Sequence, residues 1–114
     1  MLDILRILSV FYGVLWKTEI SQDLIKFYRT IGEPEIVNPK MIDEAIKNLE
    51  NLGLIKTEER IRGIPLSTKT YQDLLVHLTD KFATKKILQK DEKYRKYILK
   101  REKAIKEALN EYKQ

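Results

Sequence analysis

The chain has 114 residues, which suits one domain by the usual yardstick of about 150 residues per domain. It has no cysteine and a single histidine, His77, so disulfides, thiolate chemistry and two-histidine zinc sites are excluded. The net charge of +5 is held unevenly: residues 1–84 carry 11 Lys+Arg against 12 Asp+Glu, and residues 85–114 carry 11 against 5.

Residues 3–15 read as a first helix, capped by Asp3, with Ile4, Leu5, Leu8, Phe11, Tyr12 and Leu15 at helical spacing. Ile7 and Val14 widen its apolar stripe. The apolar run from Ile7 to Trp16 falls well short of the ~20 residues a membrane span requires. Asp3 precedes Arg6 and no basic leader segment is present, so the expectation is a cytoplasmic protein with no membrane contact. A second helix follows over 19–31, capped by Thr18 or Ser21 and stopped by Gly32-Glu33-Pro34. Residues 32–38 form a loop. Asn38 and Pro39 then suit the cap and first turn of a third helix. Ile42, Ala45, Ile46, Leu49 and Leu52 share its inner face, and Gly53 takes the left-handed position after it. Leu54–Arg60 reads as a strand, 61–63 as a turn and Ile64–Ser67 as a short return strand, with Pro65 marking an edge. From Thr70, spaced from Asp73 like a capping box, Tyr71, Leu74, Leu75, Leu78 and Phe82 trace a fourth helical face. That helix either runs on or restarts at Thr79 or Asp80. All four glycines and three prolines lie before residue 66, which favours unbroken helix beyond it.

The order of helix, helix, helix, hairpin, helix carries a likeness. Glu19-Ile20-Ser21 through Leu24, and then Ile42, Ala45, Ile46 and the run Leu49-Glu50-Asn51-Leu52-Gly53-Leu54-Ile55, resemble the winged helix-turn-helix of prokaryotic and archaeal transcription regulators. Leu66-Ser67-Thr68-Lys69-Thr70 leading into Tyr71, Leu74 and Leu75 is similar to the stretch after the wing in those families. The likeness covers roughly residues 3–80. It implies a mainly α, α+β fold: a winged-helix domain over 1–80 and a C-terminal dimerisation helix over 81–114, coiled-coil-like. The architecture as a whole resembles small archaeal winged-helix proteins that dimerise through a long C-terminal helix. The Lys-, Glu- and Ile-rich composition is also similar to that of hyperthermophile proteins. Two features depart from the family pattern. About seven residues separate the second and third helices where a compact turn has ~3–4. The outward face of the third helix is also mixed in charge, with Asp43–Lys47 and Lys40–Glu44 spaced for pairing within it.

In the tail, Ile87, Tyr94, Ile98, Ile105, Ala108 and Tyr112 form one 3-4 stripe, interrupted by Asp91 and Arg101. Paired copies bury such a stripe mutually, and an antiparallel pair would bring Asp91 of one chain to Arg101 of the other. No glycine-rich nucleotide loop, phosphate loop or H-E-x-x-H pattern occurs, so neither catalysis nor a cofactor or metal is expected, and no small-molecule ligand is evident. His77 reads as a structural or exposed residue. The expectation is a homodimer that binds double-stranded DNA as a transcription regulator or architectural protein. Lys40, Lys47, Asn48 and Asn51 would lie nearest the bases, with Arg60 and Arg62 at the backbone. The alternative is a winged-helix protein–protein module within a larger assembly.

Overall fold

A computed structural model describes residues 2–112; Met1, Lys113 and Gln114, at the outer ends of the two expected units, lie outside the described residues. Their chain order is α1 (Leu2–Val10), β1 (Val14–Trp16), α2 (Lys17–Ile31), α3 (Pro39–Asn51), β2 (Ile55–Gly63), β3 (Thr70–Leu78), α4 (Lys81–Leu88) and α5 (Glu92–Tyr112). The fold is thus α+β, with a three-stranded antiparallel sheet ordered β1-β3-β2 and a long C-terminal helix.

The first helix is shorter than its apolar stripe suggests. Tyr12 and Gly13 both take left-handed backbone (φ 63° and 87°), and the Gly13 N–H reaches back to the Leu8 carbonyl. This closes α1 and turns Val14-Leu15-Trp16 into a strand that pairs with β3, Val14 opposite His77. The expected fourth helix from Tyr71 is in fact β3. Its run Leu74-Leu75-Val76-His77-Leu78 is compatible with helical spacing, but two partner strands claim it, and a central strand tolerates a nearly continuous apolar sequence. The hairpin is correspondingly longer than expected. β2 continues through Ile61, Arg62 and Gly63, which pairs with Thr70, and the turn lies at 64–69. Pro65 and Leu66 (φ 61°) fill the second and third places of a tight turn closed by the Ser67 N–H on the Ile64 carbonyl. That is the Pro-then-positive-φ pattern of a type II turn, so Pro65 marks a corner and not an edge strand.

The third helix forms as its sequence predicts. The Asn38 side chain accepts the Lys40 N–H, Pro39 occupies the first turn, and Gly53 (φ 76°) allows immediate reversal into β2. Ile42, Ala45, Ile46 and Leu49 are buried. Leu52 is not: it stands one residue past the helix, is 65% exposed, and no longer follows the helical phase. At the start of α2 neither Thr18 nor Ser21 acts as cap; Trp16 occupies that place without a side-chain bond, and the Thr18 hydroxyl donates to Asp73 instead.

The tail is broken where no glycine or proline foretells it. α4 starts at Asp80, whose carboxylate accepts the Ala83 N–H, and ends at Leu88. Asp91 then accepts the Tyr94 N–H and opens α5. Asp91 also receives both Nε and Nη2 of Arg6 at 2.8 Å, and Arg6 pairs in addition with Asp3. Asp91, expected to approach Arg101 of a second chain, is thus engaged within its own chain. The stripe divides accordingly. Ile87 is exposed on α4, whereas Tyr94 is buried with Val10 and Leu88 in its own chain. Tyr97 stacks on Phe27 of α2 with ring centroids 5.1 Å apart. From Leu99 to Tyr112 every residue of α5 is exposed. The main core joins Ile7 and Leu8 of α1, Ile20, Phe27 and Ile31 of α2, Leu49 of α3, and Ile55 and Val76 of the sheet.

Candidate nucleic-acid interface

The buried face of α3 fixes what its other face presents. With Ile42, Ala45, Ile46 and Leu49 turned inward, Lys40, Glu44, Lys47, Asn48 and Asn51 are all exposed. The two expected intrahelical pairs do not form. Asp43 instead meets Lys17 of α2 at 2.8 Å, and Glu50 accepts the Thr57 hydroxyl from β2 at 3.1 Å. Lys40 and Lys47 make no ion pair among the described residues. The helix therefore carries two uncommitted ammonium groups and two amides on its outer surface. Amides and cations are the groups that read base edges and meet phosphates.

Between the first turns of α2 and α3 and the hairpin lies an open groove of about 570 Å³, lined in part by Lys17, Thr18, Asp43, Glu59 and Asp73. Arg62 is bonded to one of its lining residues, Asp73. Its guanidinium lies 4.3 Å from the Trp16 ring centroid and 5.6 Å from that of Tyr71, and it donates to Asp73 at 2.9 Å and to Glu19 at 3.4 Å. The Asp73 side chain is 1% exposed. Burial alone would raise its pKa, but the Thr18 hydroxyl, Arg62 and the Leu74 N–H outweigh that and hold it below the usual carboxylate range. Arg62 is thus a strut that ties the hairpin to β1 and α2, with a cation–π contribution of the size aromatic stacking gives. Arg60, on the exposed side of β2, donates to Glu58.

The residues singled out from sequence therefore fall into two groups. Lys40, Lys47, Asn48 and Asn51 come together on one exposed helix face. Arg60 and Arg62 lie within β2 and not at the hairpin tip, which carries Ser67, Thr68 and Lys69. Sequence reasoning missed the cluster of Trp16, Thr18 and Asp73, because Thr18 and Asp73 are separated by 55 residues and only the β1–β3 pairing brings them together. Among the described residues no three His, Cys, Asp or Glu side chains converge as a metal site would need. Nor is any helix among the described residues long and apolar enough to cross a membrane. In comparison with known proteins, no family model matches the chain, and neither do any curated protein or solved structure.

Proposed function

We propose that the chain is a winged-helix DNA-binding protein that acts as a dimer, a transcription regulator or architectural protein without catalytic activity. The observation that carries this reading is the exposed, uncommitted face of α3, with Lys40, Lys47, Asn48 and Asn51, on a helix that packs against β2 of the hairpin. The connectivity α1-β1-α2-α3-β2-β3 with strand order β1-β3-β2 supports it, because the hairpin then serves as the wing and α3 as the recognition helix. In this arrangement α3 enters the major groove of a duplex. Lys47 and Asn51 reach base edges, while Lys69 at the tip and Arg60 on β2 approach the backbone. Arg62 holds the wing in place and makes no phosphate contact.

The test is enrichment of duplexes from a random pool, followed by binding at two salt concentrations. Lys47→Ala and Asn51→Ala should each weaken the selected site by about 1–3 kcal/mol relative to random duplex. Lys69→Ala should weaken both and flatten the salt slope. Equal binding of selected and random duplex by the parent and by both helix variants would refute the role of α3. A second reading, a module whose α3 meets a protein, is favoured by Met41 and Leu52, both exposed at the two ends of that helix. The absence of duplex binding even at low salt would decide for it.

A further inference from the structure

The α1–β1 turn places a bulky residue where the backbone favours glycine. Tyr12 sits at φ 63°, in the left-handed region, immediately before Gly13 at φ 87°. A side chain in that region is disfavoured, and such outliers concentrate at functional sites. The core offers no compensation, because Tyr12 is 84% exposed. Phe82, in the first turn of α4, is 78% exposed. Both rings line one concavity of about 180 Å³, together with Ser9, Gly13, Lys81 and Lys85. A Cβ added to Gly13 would stand 3.3 Å from the Lys81 Cβ, so the turn and the start of α4 approach closely and bring the residues that carry the two rings to one place. The Lys81 ammonium lies 5.6 Å from the Phe82 ring centroid, and Lys85 follows one helical turn on. None of the residues lining the concavity is acidic.

We infer that this patch binds single-stranded nucleic acid, one base stacking between the Tyr12 and Phe82 rings with its flanking phosphates toward Lys81 and Lys85. Open aromatic faces beside a row of cations are what unpaired bases and their backbone require. The concavity has room for about one planar ring. An acidic peptide would satisfy the lysines but leave both ring faces without a planar partner. The patch is distinct from the α3 surface and the wing. It lies where Leu78 donates to the Gly13 carbonyl, at the end of β3 opposite the hairpin turn, about 26 Å away along the strand.

The experiment measures anisotropy of a labelled oligothymidine with the full chain at low salt. Binding is expected, and Tyr12→Ala and Phe82→Ala should each weaken it about fivefold or more, the low end for loss of one base–aromatic stack. The double variant Lys81→Ala, Lys85→Ala should flatten its salt dependence. Tyr12→Gly removes the ring while relaxing the backbone. It should lose binding to the same extent with no fall in thermal midpoint, which separates loss of contact from loss of fold. The pair Lys47→Ala, Asn51→Ala should leave oligothymidine binding unchanged, whatever it does to duplex. Absence of binding by the parent would overturn the proposal, as would equal binding by the ring variants. Ring-dependent binding of phosphatidylserine vesicles or a polyglutamate peptide in place of the oligonucleotide would also overturn it.

Discussion

Arg6 is a charged residue in the middle of an apolar helix, and its neighbours explain how it is tolerated. The Asp91 carboxylate grips two of its nitrogens and Asp3 a third, while the Tyr28 hydroxyl donates to the other Asp3 oxygen at 2.7 Å. The Arg6 guanidinium holds Asp91 below the ordinary carboxylate range, against a smaller opposing effect of burial. At Asp3 burial pushes upward, but the Tyr28 and Arg6 hydrogen bonds prevail and its pKa is also lowered. Burial and Asp3 together push the Tyr28 hydroxyl pKa upward. Both carboxylates are thus more acidic folded than unfolded. Their stabilisation is complete above the unfolded values near pH 4 and is lost as pH falls through the lower folded values. Urea midpoints should therefore be level from pH 7 to about 5 and decline below about 4. Arg6→Ala leaves two carboxylates facing each other in a part-buried site and should cost about 3 kcal/mol at pH 7, with a shallower decline in acid. Parallel acid profiles for parent and variant would show that this triad is not the source of the pH dependence.

At the scale of elements, α3 was legible because every signal that defines it is local. Asn38-Pro39 starts it, a four-residue apolar face seats it, and Gly53 ends it. The limit of that locality is one residue long. Leu49 is 1% exposed and Leu52, which continues its apparent phase, lies outside the helix. Leu49→Ala should cost about 2–5 kcal/mol in denaturant unfolding. Leu52→Ala should stay within about 0.5 kcal/mol, and a large loss there would place Leu52 in an interface or core that its exposure denies. The same locality explains which candidate site residues could be read in advance. Lys40, Lys47, Asn48 and Asn51 follow from the helical wheel. The fate of Arg62 depends on Trp16 and Asp73, which only the folded sheet brings to it. β3 and the break before α5 were illegible for a related reason. A run such as Leu74–Leu78 suits either period, and the strand wins only because β1 and β2 flank it. Asp91, which caps α5, is anchored there by Arg6, 85 residues away.

For the whole molecule, the decisive feature is that α5 divides its surface between two tasks. Its first two turns, through Tyr94, Tyr97 and Ile98, pack on α1, α2 and α4. Residues 99–112 then continue for about 20 Å, every one of them exposed. A helix of that length is marginal alone in water, and Leu99, Ile105 and Leu109 leave apolar surface along it. In the dimer proposed above a second copy covers it, and an antiparallel pairing offers complementary contacts. With the two-fold axis at Ala104, Leu99 faces Leu109 and Glu102 faces Lys106 of the other chain, and each contact occurs twice. A parallel pair in register would instead set Glu102 against Glu102. Burial of each large aliphatic side chain contributes about 1.5–3 kcal/mol, enough in sum for association at micromolar concentration. Truncation after Lys100 retains the turns that pack on the body, so sedimentation of that fragment isolates the projecting half and should report a folded monomer. A fragment that stays fully dimeric would move the interface off α5. Glu102→Lys alone should weaken the dimer by opposing two lysine pairs, and Glu102→Lys combined with Lys106→Glu should restore it. If the double variant remains as weak as the single one, the chains do not pair antiparallel about Ala104.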